Sequence, residues 1–80
     1  MFYYTYVLRG LTDGKLYTGY TNDLKKRIEE FHQKVRVNAT KNRLPIQLVY
    51  YEACLSKYKA LKREKYFKSG FGRRFLKTRI

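Results

Sequence analysis

The chain has 80 residues, enough for one domain (1–80) whose single core buries a modest share of its surface. Lys and Arg number 19 against 6 Asp and Glu, and the formal charge of +13 repels itself, so a polyanion is the natural partner. No stretch approaches the ~20 apolar residues of a membrane span, and Met1-Phe2-Tyr3-Tyr4 has neither a basic n-region nor a cleavage site, which predicts a cytoplasmic protein.

Tyr3 to Leu8 and Lys15 to Tyr20 are rich in aromatic and β-branched residues, and Asp13-Gly14 between them supplies the positive-φ position of a turn, predicting a β-hairpin. The period then changes. Asn22 can cap a helix with Asp23 in its first turn, and Leu24, Ile28, Phe31 and Val35 recur at steps of four or three, predicting an amphipathic helix to about Lys34. Residues 37–44 are polar and basic, a loop by composition, ended by Pro45. Ile46 to Ala53 reads as the third strand, with Glu52 alternating with Ile46, Leu48 and Tyr50 on one face. Cys54, the lone cysteine, excludes an intrachain disulfide and a thiolate metal cluster, and reads as a small buried hydrophobe at the strand end. A second helix runs from a Ser56 cap to Lys68, where Ser69-Gly70 and Gly72 interrupt it; Arg73 to Ile80 has room for a further short helix. The order β-β-α-β-α predicts an α/β (α+β) fold, a three-stranded antiparallel sheet flanked by helices.

Three polar residues on this scaffold ask for more than a folding role. Arg27 lies three residues after Leu24 and four before Phe31, beside the apolar stripe, so its guanidinium either reaches water or faces an anion. Glu64 is four after Ala60 and three before Phe67, on the helix face that meets the sheet; its charge calls for a partner, an arginine or a metal ion. Tyr17 stands two residues from Gly19, and a glycine within a strand lets a ligand or another backbone approach closely. Each has an ordinary alternative: Tyr6 and Tyr17 are two of nine tyrosines, Arg27 fits a solvated basic face, and Glu64 has Lys68 at i+4.

Taken together, Tyr6 in Thr5-Tyr6-Val7, then Tyr17-Thr18-Gly19, then Arg27, then Glu64 resembles the catalytic signature of the GIY-YIG nuclease superfamily. The likeness extends through Asp13 to Thr21, Asp23 to Arg27, Arg43-Leu44-Pro45, Leu48 to Glu52 and Ala60 to Lys65, and is similar to small stand-alone members related to the N-terminal domain of the excision-repair endonuclease. Small relatives place a histidine four residues after the helix arginine; here Phe31 holds that place and His32 follows, about 100° further round an ideal helix. The asparagine that larger members carry after the metal glutamate has no counterpart after Glu64.

The resemblance implies a metal-dependent endonuclease. Tyr6 or Tyr17 would take the proton of the attacking water, its phenol acidified by cationic neighbours; Arg27 would hold the non-bridging phosphate oxygens; Glu64 would bind one Mg²⁺ or Mn²⁺. Glu52 is read as a structural ion-pair partner. DNA contacts fall to Gly19, Lys25, Lys26, Lys41, Arg43, Lys68, Arg73 and Arg74, with Lys34, Arg36, Lys77 and Arg79 adding charge. Nothing resembles a zinc finger or helix-turn-helix, so branched, nicked or damaged duplex is expected to be selected by shape or with weak sequence specificity, in repair or recombination, with defence also compatible. The competing readings are a non-catalytic nucleic-acid-binding module, whose tyrosines would stack on bases, and a docking protein that sets its basic face on an acidic protein partner.

Overall fold

The hairpin anticipated around Asp13-Gly14 opens the fold, with Gly14 at φ +69° in the turn and the Gly14 N–H bonded to the Gly10 carbonyl at 2.8 Å. The structure, a computed structural model, describes residues 1–11, 13–37 and 46–80, and of residues 32–37 the backbone alone. The elements are β1 (Tyr3–Gly10), β2 (Leu16–Thr21), α1 (Leu24–Val37), β3 (Ile46–Cys54), α2 (Lys57–Phe67) and α3 (Gly70–Lys77). The strands form an antiparallel sheet in the order β2-β1-β3.

Helices cover both faces of the central strand. On one face Val7 packs with Phe67 of α2 and Leu76 of α3, and the Thr5 hydroxyl donates to the Ala60 carbonyl at 2.8 Å. On the other, the Tyr6 ring meets Phe31 of α1 edge-on, with centroids 6.2 Å apart. Thr5, Tyr6, Val7 and Leu8 are consequently all buried, the Thr5 hydroxyl satisfied by the Ala60 carbonyl, and a strand covered on both sides needs such a run without charges. No helix of the described residues is long and apolar enough to cross a membrane.

Several local expectations are corrected. Asp23, not Asn22, caps α1: its Oδ1 accepts the Lys26 N–H at 3.1 Å, while the Thr21 hydroxyl oxygen accepts the Asp23 N–H at 3.1 Å and ties the cap to the strand end. That helix continues past Lys34 to Val37, because lysine and arginine are good helix formers and polarity alone does not end a helix. α3 begins at Gly70, not at Arg73. Ser69 is its cap, accepting the Gly72 N–H at 3.2 Å, and Gly72 is a packing requirement, since a Cβ there would overlap the Tyr66 carbonyl oxygen.

The register shifts between Val7 and Leu8, which pair with Tyr50 and Leu48. This bulge splits the expected alternation in β3: Leu48 turns to the α1 side, whereas Tyr50 and Glu52 turn to the α2 and α3 side. Cys54 is half-buried, its thiol donating to the Ser56 carbonyl at 3.2 Å.

Candidate active site

The hairpin sets Tyr6 directly across from Gly19 and Leu8 across from Tyr17, so the two phenols and the glycine share the sheet face that α1 covers. Tyr6 is 3% exposed, and its hydroxyl oxygen accepts the Arg27 Nε–H at 3.1 Å. The side chain needs the space left by Gly19, where a Cβ would overlap the phenol hydroxyl. Phe31, one turn along α1, lies under the guanidinium at 5.0 Å from its ring centroid. The hydrogen bond to Tyr6 raises the Arg27 pKa above its ordinary value, against the lowering effect of burial, so the guanidinium stays charged. Of the two readings left open for Arg27, neither simple exposure nor an anion describes its Nε, which is committed to Tyr6.

Tyr17 is 40% exposed, and its hydroxyl donates to Asp13 Oδ2 at 2.9 Å; the other oxygen of Asp13 accepts the Lys15 N–H at 2.9 Å. One turn carboxylate thus closes the hairpin and holds the phenol. Its effect opposes the acidification expected from cationic neighbours: the hydrogen bond to Asp13 pushes the Tyr17 pKa up, and the Lys15 amide, followed by the phenol, holds Asp13 below its usual range. Because the protonated phenol is favoured, the contact stabilises the fold below the unfolded tyrosine pKa, and this contribution is lost as pH rises through the folded value. Asp13→Asn is expected to move the Tyr17 titration to lower pH in a ¹³C-tyrosine NMR titration; an unmoved resonance would refute Asp13 as the cause.

Glu64 belongs to α2, on the helix that packs against the opposite face from α1. Its side chain is 22% exposed, between buried Ala60 and Phe67, and its carboxylate pairs with Lys68 at 3.4 Å. Among the described residues no hydrogen bond or ion pair joins Glu64 to Tyr6, Tyr17 or Arg27. Glu52 is the ion-pair partner it was read to be: Arg63 grips both its oxygens at 2.7 and 2.9 Å, the Tyr50 hydroxyl donates to it at 3.0 Å, and the Arg63 guanidinium lies 4.7 Å from the Phe67 ring centroid. Lys25 and Lys26 are exposed at the start of α1, and Lys68, Arg73 and Arg74 at the end of α2 and on α3, where Arg74 lies 5.6 Å from the Phe71 ring centroid. Lys41 and Arg43 lie outside the described residues, as do the side chains of His32, Lys34 and Arg36.

The GIY-YIG catalytic domain matches residues 2–77. The chain belongs to the GIY-YIG family. Similar members of known sequence are a UPF0213 protein of Streptococcus agalactiae, 45% identical over 65 residues covering 81% of this chain and 73% of that one, and a UPF0213 protein of Bacillus pumilus, 40% identical over 67 residues covering 84% and 67%. The solution NMR structure of the UPF0213 protein BH0048 from Bacillus halodurans is similar with a TM-score of 0.60 and 34% identity, covering 98% of this chain and 84% of that one.

GIY-YIG domains form a nuclease family, whose substrate is nucleic acid and whose chemistry generally uses a divalent metal. Among the described residues of this one, no three of His, Cys, Asp and Glu stand close enough together to cage an ion. The donor set is instead a single carboxylate with a cation, the Lys68 ammonium, already against it. One carboxylate can hold an ion whose other ligands are water and phosphate oxygens, the manner usual for Mg²⁺, provided Lys68 gives up Oε2. Asp13, read in the sequence as a turn residue only, is the partner missed at this GIY-YIG site. The signal was its position four residues before Tyr17 across a closing turn, which brings the two onto one end of the hairpin.

Proposed function

We propose that this GIY-YIG domain is a divalent-metal-dependent DNA endonuclease, selecting branched, nicked or damaged duplex by shape in repair or recombination. The observation that carries the reading is the Arg27–Tyr6 hydrogen bond over Gly19, which joins parts of three family motifs in one contact. With Nε held by Tyr6, the terminal N–H groups of Arg27 are left for the non-bridging oxygens of a phosphate, and they bind most strongly when those oxygens gain charge in the transition state. Tyr6 accepts from Arg27, so its own O–H is free to donate to the phosphate or the attacking water.

Tyr17 complements it. Its proton lies toward Asp13, leaving a lone pair on the phenol oxygen to accept from water. As the water oxygen bonds to phosphorus, its proton passes to the Tyr17 oxygen and the Tyr17 proton moves to the Asp13 carboxylate, while the bond from phosphorus to the 3′-oxygen breaks and that oxygen takes a proton from solvent. Tyr17 is on this reading the proton acceptor, and it works as a relay, which does not require an acidified phenol. Glu64 would hold one Mg²⁺ or Mn²⁺, which when bound supplies positive charge to the phosphate and the leaving 3′-oxygen. Lys25, Lys26, Lys68, Arg73 and Arg74, together with Lys41 and Arg43, would neutralise the phosphates of the flanking strands.

The test is cleavage of branched, nicked and supercoiled DNA in Mg²⁺ or Mn²⁺ by the wild type and by Tyr6→Phe, Arg27→Ala and Glu64→Ala, with Mn²⁺ binding followed in parallel by electron paramagnetic resonance. Each substitution is expected to lower cleavage, and Glu64→Ala to lower ion binding as well; cleavage indifferent to all three would assign the activity to a contaminant. One observation favours the second reading, a binding module without cleavage: the Lys68 ammonium occupies the carboxylate that an ion needs. Tight DNA binding with no cleavage in either metal would establish that reading in place of the first.

A further inference from the structure

β2 lies at the edge of the sheet, and its pairing decides what that edge presents. The Gly10 N–H donates to the Lys15 carbonyl at 2.9 Å. Hydrogen-bonded pairs alternate along an antiparallel ladder, so Leu8 with Tyr17 and Tyr6 with Gly19 are the bonded pairs that follow. The main-chain N–H groups of Leu16 and Thr18 therefore turn away from β1, outward.

Two concavities run beside this edge. One, of about 380 Å³, is lined by Leu16, Tyr17, Thr18, Phe67, Lys68 and Arg73; the other, of about 490 Å³, by Gly14, Lys15, Leu16, Arg73 and Lys77. Leu16 and Arg73 line both, so the two adjoin and together form a channel-like depression beside the hairpin. Its walls carry four cationic side chains and no carboxylate. Lys68 has Glu64 as a partner, whereas among the described residues Lys15, Arg73 and Lys77 form no ion pair.

We infer that this channel is the path of one nucleic-acid strand, its sugar–phosphate backbone running from Lys15 and Lys77 past Arg73 to Tyr17. Unpaired cations at the hairpin and on α3 repel one another until phosphates separate them, and outward amides on an open strand edge donate to the same oxygens. The channel passes Tyr17, whose phenol turns to the α1 side toward Asp13, so a strand lying in it runs along the sheet edge that carries this residue. The inference rests on the nucleic-acid reading of the domain and adds the route. Lys15 is the new contact, and Lys77 gains a place along the route. Cations at a sheet edge also keep edges from pairing with each other, a role that would leave DNA binding untouched.

The experiment is fluorescence anisotropy of a labelled oligodeoxythymidylate, and of a duplex and an RNA of matched length, in EDTA across a salt series. For the single strand, each lost phosphate contact lowers the slope of log affinity against log salt by about 0.7. The pair Lys15→Gln and Lys77→Gln is expected to lower it by about 1.4, and Lys15→Arg with Lys77→Arg to restore it. Lys57→Gln with Lys62→Gln, the same charge removed from the exposed side of α2, is expected to leave the slope near the wild-type value. Equal effects from the two glutamine pairs would overturn the route and leave net charge alone as the cause. An unchanged slope for Lys15→Gln with Lys77→Gln would do the same, and if wild-type cleavage persisted the nuclease reading would stand without the route. A protein that never cleaves yet loses slope at Lys15 and Lys77 would keep the route and lose the nuclease.

Discussion

Arg27→Ala is expected to lower kcat for DNA cleavage by about 10²- to 10³-fold, the range seen when one pre-aimed donor to a developing charge is removed. The size follows from the side chain's fixed position, since Tyr6 holds Nε and the Phe31 ring supports the guanidinium plane. Its remaining donors are aimed before a substrate arrives, and their contribution grows as the phosphate oxygens gain charge. The loss should therefore fall on kcat, with KM little changed. Arg27→Lys should not rescue activity, because an ammonium cannot bond Tyr6 and a phosphate with the same planar fork. Lys26→Ala, one exposed residue away, provides the control and should act on affinity. A single-turnover rate within about threefold of wild type for Arg27→Ala would be too small for the donor role and would end it.

Phe67→Ala is expected to destabilise the fold by about 3 to 5 kcal/mol. Phe67 meets Tyr50 edge-on at 5.7 Å and Phe75 stacked at 6.0 Å, carries Arg63 over its face, and packs against Val7 and Leu76. It therefore joins the central strand, β3 and α3 at one point, and its removal leaves a cavity that rigid rings on several sides cannot close. A domain of this length has about 4 to 12 kcal/mol to lose, so the variant should be near unfolding at ambient temperature. Phe71→Ala is the contrast, since Phe71 is 72% exposed and its loss should cost no more than about 0.5 kcal/mol. Urea unfolding followed by circular dichroism measures both, and a Phe67→Ala midpoint close to wild type would contradict the core described here.

Much of this arrangement can be read from local chemistry. The Asp13-Gly14 turn, the aromatic and β-branched runs Tyr3 to Leu8 and Lys15 to Tyr20, and the Ser56 cap each act within a few residues, and each lies within a residue or two of the element that forms. The inward side of Glu64 was also legible, because Ala60 and Phe67 flank it at helical spacing and both are buried. What escaped depends on contacts between distant segments. Gly70 and Gly72 look like helix breakers until the Tyr66 carbonyl is seen against α3. The bulge opposite Val7 and Leu8 leaves no residue signature, yet it reverses which face Leu48 shares with Glu52. A central strand apolar on both sides also cannot announce which helix will cover which face, and that choice decides how Tyr6 and Glu64 are related.

One bond governs that relation more than its size suggests. Thr5 precedes the phenol residue, Ala60 lies one helical turn before the carboxylate residue, and the hydroxyl of the first is fastened to the main chain of the second. The gauge between the two halves of the proposed centre is thus a chain of three short rigid parts: one strand residue, one hydroxyl link and one turn of helix. Sliding α2 along the sheet would have to break that link in a buried place, so the spacing of Tyr6 and Glu64 is built into the scaffold before any substrate is present.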